Sequence, residues 1–183
     1  MQYFGTGEYP YKTILKQTDC ESIADDLSQI GYGTHVVHNN IATFYSRNNA
    51  FSMMGFDTFT SKECMNISQY TPNGNWPTDD VLVQETVKAM NATENQSDFV
   101  YTITVEGHGD YPTEKLLENP DILVSGAADE ASNNQWEYYV NMIHEVDDFI
   151  GDLITAVDRR GEDTIIVFFG DHLPTMGLTD ADM

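Results

Sequence analysis

The chain has 183 residues, and 8 Lys plus Arg against 30 Asp plus Glu leave a net charge of −22. Eight scattered cations cannot release counterions from nucleic-acid phosphates or hold an anionic bilayer, which argues against both as partners. At 40% hydrophobic and 11% aromatic residues the chain can bury a core, and no run approaches the roughly 18–20 apolar residues of a membrane span.

In chain order, Thr18-Asp19-Cys20-Glu21 fits a capping box, and Ile23, Leu27 and Ile30 then form an apolar stripe that ends at Gly31. Thr34–His38 reads as a short strand. A loop and a short helix follow, stopped by Gly55, with Phe56–Phe59 extending again. Residues 61–77 form a polar loop around Pro72-Asn73-Gly74-Asn75. Thr78 caps a helix from about Asp79 to Met90, and Asp98–Val105 alternates as a β-branched and aromatic strand.

The strongest helical pattern runs from about Asn134 to Arg160. Trp136, Tyr139, Ile143, Val146, Phe149, Ile150, Leu153 and Val157 recur at spacings of three and four. Gly161 supplies its stop. Thr164–Phe169 reads as a continuous apolar strand, buried on both faces. Helix and strand alternate, so the fold class is α/β with a mostly parallel sheet flanked by helices.

In such sheets ligands gather at the carboxyl ends of the strands. Polar clusters follow each expected strand: His38-Asn39-Asn40, Gly107-His108-Gly109-Asp110 and Gly170-Asp171-His172. Asp171 and His172 offer an oxygen and a borderline nitrogen to a divalent ion, although Asp beside His also caps turns. His108, between glycines, is either a surface loop residue or a donor to a phosphate or sulfate oxygen. Arg47 is the first arginine of the chain, suited to a surface carboxylate or to an anion, and Tyr45 beside it can wall a ligand or pack in the core. His35 and His144 read as structural. Cys20 and Cys64 lack the spacing of a thiolate zinc site.

Together these motifs resemble the catalytic domain of lipoteichoic acid synthase-like phosphoglycerol transferases, in the sulfatase and alkaline phosphatase superfamily. The stretches that carry the resemblance are Gly31–Asn40, Thr43-Phe44-Tyr45-Ser46-Arg47-Asn48, Met54-Gly55-Phe56-Asp57, Thr104–Gly109 and Phe169-Gly170-Asp171-His172, in matching order across nearly the whole chain.

The resemblance implies an alkaline phosphatase-like sheet and a divalent metal, manganese in the first place and magnesium as the alternative. Asp171 and His172 match two of its ligands. Asn40, Tyr45, Arg47 and His108 match positions lining a phosphoglycerol pocket, although the family often has Asp where Asn40 stands and Trp where Tyr45 stands. The implied substrate is a phospholipid headgroup or glycerophosphate, handled at the outer face of the cell membrane by a membrane-anchored parent.

The family's nucleophilic Thr and a further Glu ligand have no match, so residues 1–183 are expected to form an incomplete part of one catalytic domain, with no catalytic residue assigned. A sulfatase or phosphodiesterase on the same scaffold, and a folded but inactive half-domain, stand as alternatives. The Cys-x-Pro-x-Arg signature of formylglycine sulfatases is absent around both cysteines.

Overall fold

The computed structural model describes Thr13, Leu15 and residues 18–176. These fall into two compact units: one comprises residues up to Ile67 together with Asp80–Thr104, the other Ser68–Asp79 together with the chain from Val105 onward.

The first unit holds α1 (Ile23–Gln29), β1 (Tyr32–His38), α2 (Arg47–Met53), β2 (Thr58–Ser61), α3 (Val81–Ala89) and β3 (Ser97–Ile103). The three strands form one sheet in the order β2-β1-β3. Both pairings are parallel, with His38 opposite Ser61 on one side and Ile103 on the other. All three strands therefore end on the same sheet edge, as the sequence predicts for an α/β fold.

The central strand is buried from Gly33 to His38. Burying its polar side chains is tolerable because each finds a partner on a neighbouring strand or turn. Thr34 donates through its amide (2.8 Å) and its hydroxyl (3.1 Å) to the Asp57 carboxylate. The His35 ring bonds Thr58 Oγ1 at 2.8 Å and Asp98 Oδ1 at 3.0 Å, which makes it the structural residue its sequence context suggests. His38 Nδ1 donates to the Ile103 carbonyl at 2.8 Å.

Val36 lies in an apolar cluster with Ala24, Phe51 and Phe56. The Phe51 ring meets Phe59 at 5.0 Å and Phe56 at 5.9 Å, both edge-on, and such pairs add about 0.5–1.5 kcal/mol each beyond area burial.

Four elements differ from the sequence expectation, the first being α3, which begins at Val81 with Asp80 and not Thr78 at its N-cap position. The capping box of α1 is built by Ser22 and Asp25, not Thr18 and Glu21: Ser22 Oγ accepts from Ala24 N (3.0 Å) and Ser22 N donates to Asp25 Oδ2 (2.8 Å). Ser22 wins because its hydroxyl also donates to the Met54 carbonyl at 2.6 Å, tying the helix start to the end of α2. On α1 it is Ala24 that is fully buried, while Ile23 and Ile30 are 57% and 70% exposed. Gly55 does stop α2. Its φ is +78° and a Cβ there would strike the Asp25 carboxylate, so glycine is required twice over.

The second unit is dominated by α4 (Glu130–Asp158), capped by Asp129, whose carboxylate accepts from Ser132 N at 2.8 Å. Its C-terminal half buries Phe149, Leu153 and Val157, in phase with the sequence pattern. In its N-terminal half the buried face is Glu137, Tyr138, Asn141 and Met142, whereas Ile143 is 42% exposed. The phase shifts because two of the buried residues are polar and hold a loop.

Thr164–Phe169 is not a strand: the segment has no regular secondary structure, and Ile165 and Val167 are 93% and 74% exposed. A strand needs a neighbour for its backbone groups. The described residues of this unit contain only the isolated antiparallel bridge Tyr70–Pro77, which offers none.

Candidate functional site

In the first unit the site begins where β1 ends. The half-buried Asn40 accepts from Ile41 N through Oδ1 (2.7 Å) and from Lys62 N through its carbonyl (3.1 Å), so its amide shapes the local turn. Ala42 N donates to both oxygens of Glu63, at 3.1 and 3.2 Å. A Ser61 hydrogen bond, followed by smaller backbone contributions, holds the Glu63 carboxyl below its ordinary pKa.

The chain then passes through Tyr45 and Ser46, both at φ 55° in the left-handed region. Two consecutive residues without glycine in this region are costly and persist only where the surroundings enforce them. The turn sets up the start of α2 so that the Arg47 guanidinium lies 5.2 Å from the Phe44 ring centroid and 5.7 Å from that of Tyr45. Rings on a guanidinium orient it and limit its hydration, which favours a second, anionic partner. Tyr45 and Arg47, singled out in the sequence, therefore form one cluster.

In the second unit the turn 105–110 carries His108, and other side chains satisfy much of its backbone. Asp79 accepts from Val105 N (3.0 Å) and Glu106 N (3.2 Å), and its own amide donates to Glu106 Oε2 at 2.8 Å. Tyr111 donates its hydroxyl to the Gly107 carbonyl (3.1 Å), Trp76 Nε1 donates to Gly109 O (3.0 Å), and Asn73 Nδ2 donates to Asp110 O (3.1 Å). Burial pushes the Tyr111 pKa up to about 12, which keeps the phenol a donor. A Cβ at Gly107 would lie 2.9 Å from Ile143 Cδ1, the flexible end of a side chain that is itself 42% exposed.

The result is a rigid cradle for an exposed imidazole. The His108 ring meets Trp76 edge-on at 5.1 Å and His172 at 5.8 Å.

Asp171 and His172 are both exposed, with Asp171 Oδ1 3.7 Å from His172 Nε2. His172 Nδ1 lies 2.9 Å from the Leu173 carbonyl. A carbonyl only accepts, so Nδ1 donates this bond and Nε2 is the ring nitrogen turned toward Asp171. A backbone-anchored imidazole beside a carboxylate is how histidine ligates divalent metals, so this pair fits part of a metal's donor set. The described residues contain no group of three His, Cys, Asp or Glu positioned to hold a metal ion.

The structure thus groups Tyr45 with Arg47 in one unit, and His108 with Asp171 and His172 in the other. Sequence reasoning missed Asn73, Trp76, Asp79 and Tyr111. Their signal was faint: Asp79 reads as the start of a helix, but that helix begins at Val81 and leaves the carboxylate to the turn.

The sulfatase family profile matches residues 1–181. The chain belongs to the sulfatase family. This sulfatase-family chain is 30% identical, over 170 residues, to a putative cyclic beta-1,2-glucan modification protein of Rhizobium meliloti, covering 93% of the chain but only 26% of that relative. It therefore spans about a quarter of the curated relative.

Among solved structures, the Streptococcus pyogenes phosphoglycerol transferase GacH in complex with sn-glycerol-1-phosphate shares its fold with a TM-score of 0.68 at 19% identity, over 83% of this chain and 39% of that one. The lipoteichoic acid synthase LtaP of Listeria monocytogenes gives 0.66 at 22% identity, over 85% and 37%. The periplasmic domain of Escherichia coli EptC in complex with Zn gives 0.51 at 18%, over 76% and 39%. At these identities the likeness shows the fold, partially covered: a parallel sheet with flanking helices. Among the described residues no helix is long and apolar enough to cross a membrane.

Proposed function

We propose that this chain is part of a metal-dependent transferase that moves a phosphoglycerol group from a phosphatidylglycerol-type phosphodiester to a cell-envelope glycan or a growing glycerophosphate chain, outside the cell membrane. The observation that carries the reading is the Asp171–His172 pair, with Nε2 turned to the carboxylate (3.7 Å) and the His108 ring 5.8 Å away. A metal-ligand pair and a hydrogen-bond donor for a phosphoryl oxygen belong together in a phosphodiester site. Family membership, the GacH complex with sn-glycerol-1-phosphate and the glucan-modifying relative support the same substrate classes.

In this reading Asp171 and His172 would hold the divalent ion, for which manganese is the first choice, and the ion would supply Lewis acidity that activates a hydroxyl and offsets phosphoryl charge. In the second unit His108 is assigned a hydrogen bond to a phosphoryl oxygen, and in the first unit the Arg47 fork is assigned to phosphoryl oxygens, with Tyr45 and Asn40 beside it for the glycerol side. The nucleophile is a threonine hydroxyl of the longer protein. Its oxygen bonds to phosphorus as the bond to the lipid alkoxide breaks, and the alkoxide leaves with the hydroxyl proton. A hydroxyl of the acceptor then displaces the threonine.

Calorimetric titration of the chain with sn-glycerol-1-phosphate in excess manganese tests the reading. Binding is expected, with a loss of at least about tenfold in Arg47→Ala and in His108→Ala, the scale of one charge-assisted hydrogen bond. Absence of binding, or equal affinity for free sulfate, would remove the phosphoglycerol reading.

A further inference from the structure

Apart from the groups already described, the second unit contains an open cavity of about 240 Å³. It sits beside the cradle of His108, since Glu106 of that turn is one of its walls. Gln69, Asn119, Asp121 and Glu145 also line it, and none of these four side chains makes a hydrogen bond or ion pair with the described residues. Its apolar wall is Leu117 and Met142, which belong to the Tyr111–Tyr138 core cluster and so form a rigid surface.

The loop that supplies Asn119 and Asp121 has no regular secondary structure, yet α4 fixes it. Asn141 pairs with Ile122 as a strand would, accepting from its amide (3.0 Å) and donating to its carbonyl (2.8 Å). Glu137 Oε2 accepts from Val124 N at 3.3 Å, and Asn133 Nδ2 donates to Val124 O at 2.8 Å. These residues recur every four positions along one stripe of α4, where a core helix would carry apolar residues. Glu137 and Asn141 are each only 6% exposed. Buried polar groups used in this way hold the loop in one geometry, so the cavity is pre-organised.

The lining chemistry selects a ligand. Glu106, Asp121 and Glu145 repel anions, so the cavity is not a second phosphate site. No group of three donors is positioned for a metal ion among the described residues. Carboxylates accept from hydroxyls, the Gln69 and Asn119 amides both donate and accept, and the apolar wall suits the C–H face of a pyranose ring. The size lies just below the roughly 300–1,000 Å³ of drug-sized sites, which suits a single ring.

We propose that this cavity binds one neutral sugar ring of a glycan. Its role as the acceptor subsite rests on the transferase reading above, whereas sugar binding itself does not.

The test is calorimetric titration of the 183-residue chain with a linear β-1,2-linked glucotriose, with sn-glycerol-1-phosphate plus manganese and with spermidine in separate arms. Glucotriose is expected to bind, and to lose at least about tenfold in affinity in the exposed-residue variant Asn119→Ala/Asp121→Ala, the scale of one hydrogen bond to a neutral amide together with one to a carboxylate. Phosphoglycerol binding should be unchanged in that variant. Circular dichroism confirms that it is folded, and Asp121→Asn, which keeps the shape, should give a smaller loss.

No glucotriose binding, equal binding by the double variant, or tighter binding of spermidine than of glucotriose would each overturn the proposal. Sugar binding without phosphoglycerol binding would keep the cavity and remove the transferase reading. The reverse result would remove the cavity alone.

Discussion

Tyr45 and Ser46 share a φ of 55°, immediately before the arginine assigned to the phosphoryl group. Left-handed backbone costs an ordinary residue roughly 1–2 kcal/mol, so the turn is held at some expense in stability. Ser46→Gly separates that cost from its purpose. Glycine removes the steric penalty but adds about 0.4–1 kcal/mol of unfolded-chain entropy. Thermal stability should therefore stay level or rise slightly, while the freed turn lets Arg47 leave its place on Phe44 and Tyr45. Affinity for sn-glycerol-1-phosphate should fall several-fold in titrations run beside a melting curve. A variant that is both more stable and equally tight in binding would mean that the strain does not serve the arginine.

At the scale of elements, the Ser22 cap joins two helices, because one hydroxyl accepts from Ala24 N at the start of α1 and donates to the Met54 carbonyl at the end of α2. Ser22→Ala removes both bonds and should cost about 1–2 kcal/mol, seen as a loss of about 2–8 °C in melting temperature for a chain of this size. Thr18→Ala should leave the transition where it is, and the opposite ranking would restore Thr18 as the cap. The sequence reading misplaced this cap because Thr18 and Ser22 head equally good local patterns, and only the contact with Met54 distinguishes them. The second half of α4 was legible because its apolar spacing matches the face it buries, whereas β1, β3 and α3 were placed by their β-branched, aromatic and apolar content although β1 also buries Thr34 and His35 and α3 buries Glu85 and Thr86. The first half of α4 was not legible, because Glu137 and Asn141 occupy its buried face. Thr164–Phe169 was misread for a related reason: apolar, β-branched composition reports an aptitude for pairing, whereas a strand also requires a neighbour in space.

At the scale of the whole chain, the residues proposed to carry chemistry stand in motifs visible in the sequence, while the side chains that support them do not. Asp171, His172, His108, Arg47 and Tyr45 stand in short motifs whose order signals the family. Trp76, Asp79 and Tyr111 act through backbone groups of a turn remote in sequence, and no local pattern announces that. The same division governs what the chain does with metal. Asp171 and His172 supply one oxygen and one nitrogen, and the described residues offer no third donor grouped with them. Stable sites commonly take three or four protein ligands. The charge of −22 attracts cations everywhere, but diffusely and in a way that salt screens. Titration with manganese, magnesium and zinc at moderate salt should therefore show binding weaker than about 1 μM, equivalent to less than about 8 kcal/mol. Asp171→Ala should remove the specific part and leave the diffuse part, and no phosphoglycerol transfer should accompany either form. Sub-micromolar binding that vanishes in Asp171→Ala would mean that further residues of this chain complete the site. Turnover lost together with it in His172→Ala would place a nucleophile within these 183 residues.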